Sequence, residues 1–154
     1  MLSKPTTQQV LLDCRRELLE VIDPAVSDPT VKIAIQMLEN VLRNCAERSA
    51  HEIAWMRDES NLMVGYARDV KNSVGSTPEI DAALAAYDAG DNTSLDLDAV
   101  SDSYSRAGEC LSVAIERVFA VGNTELHLRG RDILALRLAN EDAIKGEWAF
   151  VGRG

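Results

Sequence analysis

Residues 97–121, LDAVSDSYSRAGECLSVAIERVFAV, carry the most regular pattern in the chain. Apolar side chains recur there in alternating steps of three and four residues, at Leu97, Val100, Tyr104, Ala107, Leu111, Ala114, Val118 and Val121. This heptad spacing predicts a helix with one apolar seam, and such a seam requires a neighbouring helix to pack against. Further apolar residues beside the seam predict that this helix contacts more than one partner.

A longer helix is predicted upstream of this segment. Asp28 is a candidate N-cap and Pro29 suits the first helical position. No Gly or Pro occurs from Thr30 until Gly65, and apolar residues recur at helical spacing through most of this range. We predict one helix of roughly 40 to 45 residues. A kink near Ser49 or Gly65, or a division into two shorter helices, stays open as an alternative.

Shorter helices are predicted before and after the long one. Thr6 and Gln9 have the spacing of a capping box, and the helix they open is expected to end near Asp23 because Pro24 disfavours helical geometry in the residue before it. A second capping signal at 76–79 opens a short helix. The last helix is predicted over residues 132–145, followed by the apolar tail 148–151.

Composition supports an all-α fold. The chain has 154 residues, of which 46% are hydrophobic but only 5% aromatic. A core of Leu, Ile, Val, Ala and Met suits packed helices better than a β-sandwich. We therefore predict a single domain over residues 1–154, an antiparallel bundle of four to five helices in which the 97–121 helix packs against the long one.

The charge distribution argues against nucleic acid and membrane partners. The net charge is −9, and between Lys71 and Arg106 there are seven acidic residues and no basic one. Phosphate backbones and anionic bilayers are bound through Lys and Arg, so this acidic stretch would repel both. No apolar stretch approaches the length of a membrane span. A solvated acidic surface is the simplest interpretation.

The cysteines and the N-terminus predict a cytoplasmic protein. Cys14, Cys45 and Cys110 are odd in number, form no CxxC pair and lie among apolar residues. We expect buried free thiols in a reducing compartment rather than disulfides or a zinc site. Residues 1–5, MLSKP, also lack the apolar run of a signal peptide.

A polar cluster on the long helix is the first candidate site. Its members are Glu47, His51, Glu52, Trp55 and Arg57, with Asp58 and Glu59 nearby. Glu47 and His51 are four residues apart and share a helix face, so the carboxylate could orient the imidazole as a general base or as a metal ligand. An exposed ion pair is the alternative. The mixture of side chains would also suit a ligand pocket or a partner contact.

Metal, nucleotide and nucleophile motifs are not found in the sequence. Neither histidine has a Glu three residues before it, as di-iron bundles require, and Trp55 occupies the position of the second histidine of a zinc-protease motif. Glycine-rich phosphate loops and the Gly-x-Ser-x-Gly elbow do not occur. We predict no metal, no cofactor and no catalytic residue.

Arg129, Arg131 and Arg137 form a second candidate site, because they concentrate positive charge near the last helix. They could bind an anion such as a nucleotide or the phosphate of coenzyme A. Pairing with the acidic stretch is the alternative that we favour.

The first third of the chain resembles a known family. Residues 4–7, KPTT, leading into Leu11, Leu12 and residues 16–18, REL, and then residues 31–42, VKIAIQMLENVL, are similar to the first two helices of a small uncharacterised bacterial all-helical family. Members are often encoded beside aminoglycoside-phosphotransferase-like kinases and acyl-CoA dehydrogenases. The resemblance implies a helical fold but no activity and no site residues.

These observations favour a non-enzymatic accessory or protein-interaction protein. A long helix in a small bundle tends to project beyond it, and a second subunit would cover the projection, so we expect a homodimer, with a further protein partner possible. The alternative is a small-ligand-binding protein or an enzyme of acyl-CoA-related metabolism, with a pocket near His51.

Overall fold

The computed structural model describes residues 4–145, so the predicted apolar tail at 148–151 lies outside the described residues. Within that range the chain is helical and contains no strand, which confirms the all-α prediction. The helices are α1 (Thr7–Glu17), a π-helical segment (Leu18–Ile22), α2 (Asp23–Ala25), α3 (Pro29–Val74), α4 (Pro78–Asp88), α5 (Leu97–Val121) and α6 (Thr124–Lys145). Residues 29–74 form one helix of 46 residues rather than two.

Two compact units make up the chain. The first comprises Met1–Glu52 and Glu141–Gly154, and the second comprises Ile53–Asn140. Helix α3 contributes its N-terminal part to the first unit and its C-terminal part to the second. The single-domain interpretation stays a prediction.

The first unit is built around a helical hairpin, residues 7–52. Helix α1 runs antiparallel to α3, because Arg15 contacts Glu39 (Nε to Oε1, 2.6 Å) whereas Asp23 contacts Lys32 (Oδ1 to Nζ, 3.4 Å). The Thr6 and Gln9 capping box is confirmed, with both reciprocal hydrogen bonds present. Near the end of α6, the Lys145 carbonyl oxygen accepts a hydrogen bond from Arg43 at 3.3 Å.

The expected end of the first helix near Asp23 is wrong. Asp23 keeps helical dihedral angles and the helix continues through Pro24 to Ala25. The reason is the π-helical segment, in which the Asp23 N–H donates to the Leu18 carbonyl five residues back. In an ordinary α-helical turn the proline ring would clash with the carbonyl group four residues earlier, and the wider π-helical turn relieves that clash.

The second unit is an up-down-up-down bundle of the C-terminal part of α3 with α4, α5 and α6. The contacts of α3 show how its neighbours run relative to it. Along α3, Arg68 contacts Asp88 of α4 and Lys71 contacts Asp81 of α4. Glu59 contacts Asn140 of α6, and Tyr66 contacts the Leu126 carbonyl of α6. Both pairings are antiparallel. Helix α5 runs parallel to α3, with residues 59 and 74 meeting 104 and 117. The predicted antiparallel bundle is therefore present in this unit.

One hydrophobic core fills the second unit. The seam of α5 lies in it, with Ala107, Leu111, Ala114 and Val118 buried, as the heptad predicts. Helices α3, α4 and α6 contribute Met63, Val64, Tyr66, Ala67, Val70, Ile80, Ala83, Leu84, Tyr87 and Leu126. The predicted packing of the 97–121 helix against the long helix is thus confirmed.

Helix α6 begins at Thr124, eight residues before the predicted start at Asp132. Gly122 ends α5 in the left-handed conformation (φ 70°), and Asn123 then caps the next helix. Its Oδ1 accepts a hydrogen bond from the Leu126 N–H at 3.0 Å. The glycine of this pair thus ends one helix and its asparagine starts the next, so that the two helices follow each other directly.

An Asn123→Ala variant is expected to lose about 1 kcal/mol of free energy of unfolding, because the side-chain cap of α6 is removed. Urea denaturation followed by circular dichroism measures this loss. Asn72→Ala is the control: Asn72 is exposed within α3 and caps no helix, so its replacement is expected to be neutral or slightly stabilising. Equal stability of the two variants would contradict the capping role of Asn123.

Candidate functional site

The first predicted site lies along α3. In the first unit, His51 Nε2 is 3.4 Å from Glu47 Oε1, and Arg48 Nε donates to Glu52 Oε1 at 2.8 Å. Both contacts join residues one helical turn apart, and the His51 side chain is 42% exposed. Exposed pairs of this kind contribute at most about 1 kcal/mol. The Glu47 and His51 pair therefore has the geometry of a surface ion pair.

Trp55 and Arg57 belong to the second unit. Trp55 is partly buried, and Arg57 donates to the Thr93 carbonyl oxygen at 3.5 Å. Arg57 also lines a small polar cleft with Ser60, Asn61, Asp91, Asn92 and Ser103 among others. The open volume of this cleft is about 20 Å³, which is enough for a water molecule but not for an organic ligand.

The three arginines of the second predicted site each face a carboxylate. Arg129 pairs with Asp69 on α3 (2.6 Å), and Arg131 lies 3.7 Å from Asp132. Arg137 faces Glu59 at 3.5 Å. None of these carboxylates belongs to the acidic stretch 72–105. The prediction that the three arginines pair with that stretch is therefore wrong. Because each guanidinium already has an anionic neighbour, a bound phosphate would have to compete with that neighbour.

Arg137 belongs to a polar cluster around the buried Glu59, whose other members Tyr104, Arg137 and Asn140 are partly buried. Glu59 is 4% exposed. Its Oε2 accepts a hydrogen bond from the Tyr104 hydroxyl at 2.6 Å, and its Oε1 accepts one from the Asn140 amide at 2.7 Å. Arg137 Nε donates to the Tyr104 hydroxyl at 3.0 Å, and its guanidinium lies over the tyrosine ring. The cluster joins α3, α5 and α6.

The sequence pattern had assigned three members of this cluster to three different features. Glu59 was grouped with the candidate site on the long helix, Tyr104 with the apolar seam and Arg137 with the anion site. One signal was available: Glu59 occupies a position of α3 between the apolar residues Met56 and Met63, where a carboxylate must be buried. Each oxygen of Glu59 already accepts a hydrogen bond, which makes the cluster a structural network rather than an open site.

Burial raises the pKa of Tyr104, and the hydrogen bond to Glu59 raises it further, with Arg137 acting in the opposite direction. Burial also raises the pKa of Tyr66, whose hydroxyl donates to the Leu126 carbonyl oxygen at 3.0 Å. Since both folded-state pKa values exceed the unfolded value, folding favours the neutral phenols. Their contribution to stability is complete below the ordinary pKa of 10.0 and is lost as pH rises through the folded-state values.

An alkaline titration of phenolate absorbance tests this. Subtracting the phenolate absorbance of Tyr66→Phe, or of Tyr104→Phe, from that of wild type isolates the titration of one tyrosine. In the folded protein each difference is expected to rise above pH 10.0. In urea both steps are expected at the ordinary tyrosine pKa, because burial is lost. A folded-state step at or below that value would contradict the buried positions of these hydroxyls.

Two wider clefts lie on the surface of the second unit. One, of about 570 Å³, is bordered by Arg68, Lys71, Asp81 and Asp88 among others. Its charged side chains are already paired across it, Arg68 with Asp88 and Lys71 with Asp81, each at 2.7 Å. The other, of about 270 Å³, is bordered by Tyr66 and by the Asp69 and Arg129 pair. Neither cleft presents an unpaired charge that would select a ligand.

The helical hairpin of the first unit exposes ten large apolar side chains, which lie on more than one side of their helices. We call them together the hairpin surface, and they are Val10, Leu12, Leu19, Val21, Ile22, Val31, Ile33, Met37, Leu38 and Val41, each 39% to 62% exposed. Among the described residues of the first unit, only Leu18, Ile35 and Ala46 are buried. The hairpin therefore leaves most of its large apolar side chains uncovered, unlike the bundle of the second unit.

The cysteines reflect this difference between the units. Cys110 lies in the core of the second unit, and burial raises the pKa of its thiol. Cys14 and Cys45 are exposed free thiols on the hairpin, so the expectation that all three thiols are buried is wrong for these two. Their helical spacing does place them among apolar residues, but many of those residues are themselves exposed.

Comparison of the chain with protein-family models, with curated proteins and with solved structures returned no match. Within residues 4–145, no group of three or more His, Cys, Asp or Glu side chains is placed to hold a metal ion. No helix in this described range is both long enough and apolar enough to cross a membrane. Large apolar side chains are exposed in both units, and among the described residues they outnumber the buried ones on the hairpin but not in the second unit.

Proposed function

We propose that this chain is a non-enzymatic protein-interaction protein that binds other helices through the hairpin surface. The observation that carries the proposal is the number of large apolar side chains that the hairpin leaves exposed, of which Val31, Leu38 and Val41 share one face of α3. Contiguous exposed apolar side chains of this kind mark interaction sites.

The assembly we propose is a homodimer in the cytoplasm. Two hairpins that pack together form a four-helix bundle, and this arrangement gives each hairpin the core that it lacks alone. Three free cysteines in the described chain suit a reducing compartment. A further protein partner is compatible with the same surface.

The alternative, a small-ligand-binding protein or an enzyme of acyl-CoA-related metabolism with a pocket near His51, stays a prediction, as does the resemblance to the bacterial helical family. A thermal-shift screen over coenzyme A esters, nucleotides and divalent metals tests it. Stabilisation by one ligand that disappears in His51→Ala would favour the alternative over the interaction protein.

Photo-crosslinking in living cells tests the proposal directly. Met37, 62% exposed, is replaced by benzoylphenylalanine in the full chain, and the matched control carries the same probe at Leu138, which is 59% exposed on α6. We expect protein adducts at position 37 and few at position 138. Mass spectrometry of the adducts distinguishes a second copy from another protein. No adduct at position 37, or equal adducts at both positions, would contradict the proposal.

A further inference from the structure

We infer that the small polar cleft beside Arg57 binds one ordered water molecule, which ties the loop between α4 and α5, residues 89–96, to α3 and α5. The site lies in the second unit and is independent of the proposed function. Three elements meet at the cleft: Arg57 and Ser60 come from α3, Asn92 from the loop and Ser103 from α5. Its open volume of about 20 Å³ accommodates a single water molecule.

The hydroxyl oxygens of Ser60 and Ser103 are the acceptors of this site. Ser60 is 4% exposed and Ser103 is 8% exposed, so bulk water has little access to either. Each hydroxyl already donates its hydrogen at 2.7 Å, Ser60 to the Met56 carbonyl oxygen and Ser103 to Asn92 Oδ1. A serine oxygen that donates keeps two lone pairs. Both buried oxygens can therefore accept a hydrogen bond but have no further hydrogen to donate.

Arg57 supplies donors at the same cleft. A guanidinium has five N–H groups, and the hydrogen bond of Arg57 to the Thr93 carbonyl oxygen is long, at 3.5 Å. A water molecule matches this combination of groups, because it can donate to Ser60 and to Ser103 while it accepts from Arg57. The water thereby joins α3 to α5 through three hydrogen bonds.

Monatomic ions of similar size fit the cleft less well than water. A chloride ion only accepts hydrogen bonds, whereas both serine hydroxyls have already donated theirs, and the Asp91 side chain also lines the cleft. A sodium ion would suit the oxygen atoms, but the positive charge of Arg57 opposes it. A neutral molecule that both donates and accepts is the occupant that these side chains favour.

Asn92 connects the water site to the end of α4. Its Nδ2 donates to the Tyr87 carbonyl oxygen at 2.7 Å, while its Oδ1 accepts from Ser103. With the water in place, one continuous chain of hydrogen bonds runs from the water through Ser103 and Asn92 to Tyr87. Hydrogen bonds in such a chain polarise and strengthen one another. The water therefore helps to hold the loop that sets the start of α5.

Magnetic relaxation dispersion of solvent water, which counts the long-lived water molecules of a protein, tests the assignment. Ser60→Val removes one acceptor and places methyl groups at the cleft, so this variant is expected to have one long-lived water fewer than wild type. Ser49→Val is the matched control, because Ser49 is exposed on α3 and its hydroxyl also donates to a backbone carbonyl. Equal numbers in wild type and Ser60→Val would overturn the inference.

Ser103→Val decides the question if Ser60→Val does not keep its helical circular dichroism. It is expected to lose the same water, whereas Ser105→Val, at an exposed position of α5, is expected to keep it. Sodium NMR relaxation on the same samples identifies an ion: a bound-sodium signal that Ser60→Val abolishes would overturn the assignment to water.

Hydrogen exchange tests the effect of the water on the loop. The amides of residues 92–94 are expected to exchange faster in Ser60→Val than in Ser49→Val, because the loop loses one of its links to α3. Loss of the water without faster exchange would overturn its role in holding the loop.

Discussion

The Glu59→Met variant is expected to lose about 1–3 kcal/mol of free energy of unfolding, because one buried carboxylate accepts hydrogen bonds from two partly buried donors and faces one guanidinium. Without it, the Tyr104 hydroxyl and the Asn140 amide lose their acceptor inside the second unit. A buried polar group without a partner costs about 1–3 kcal/mol. Arg137 also loses the carboxylate that faces it at 3.5 Å.

Asp69→Met is the matched control, since Asp69 is also an α3 carboxylate paired with an arginine of α6. That pair is 49% exposed on both sides, and its loss is expected to cost at most about 1 kcal/mol. Urea denaturation of both variants gives the comparison. If Glu59→Met were no less stable than Asp69→Met, the cluster would not contribute to the stability of the bundle.

The double variant Glu59→Met with Arg137→Met tests whether the two side chains stabilise the protein together or independently. Once the carboxylate is gone, the guanidinium no longer has a charged partner to lose. The double variant is therefore expected to be more stable than the sum of the two single losses predicts, by about 1–3 kcal/mol. Additive losses would show that Glu59 and Arg137 act independently.

Gly130→Ala is expected to cost about 1–3 kcal/mol, although alanine is normally the better helix former. A Cβ at position 130 would lie 2.8 Å from the Tyr66 hydroxyl oxygen and 3.1 Å from its ring carbon Cζ. Tyr66 is 1% exposed and donates to the Leu126 carbonyl, so its ring has little freedom to move. The glycine therefore allows α6 to approach α3 closely.

Gly108→Ala provides the matched comparison for this prediction. Gly108 lies inside α5, and a Cβ there would meet no side chain within 4 Å. This variant is expected to gain up to about 1 kcal/mol from helix propensity alone. Thermal or urea unfolding should thus shift in opposite directions for the two glycine variants. A stabilising Gly130→Ala would show that α6 does not pack closely on Tyr66.

The helices that could be predicted from sequence are those with strong local signals. The heptad of α5, the capping box of α1, and the Asp28 and Pro29 start of α3 all have local physical causes, and the structure contains each of them. The errors lie where a second effect competes with the signal. The π-helical segment accommodates Pro24, and the Asn123 side chain starts a helix directly after a helix end.

The polar cluster around Glu59 could not be assembled from sequence, because its members come from three helices and meet only after folding. Glu59, Tyr104 and Arg137 each had an individual interpretation from local spacing. Their hydrogen bonds depend on the register between α3, α5 and α6, which local patterns do not determine. The hairpin surface could not be predicted for a similar reason. Spacing indicates which apolar residues share a helix face, but not which of these faces are exposed in the folded chain.

Hydrogen exchange at low and at high protein concentration tests most directly whether the hairpin depends on another chain for its stability. Amides of residues 29–52 are expected to become more protected as concentration rises, because association supplies the missing core. Amides of α5 are expected to keep the same protection, since their core lies within one chain. Leu38→Glu is expected to abolish the concentration dependence. Equal protection of residues 29–52 at both concentrations would contradict the account.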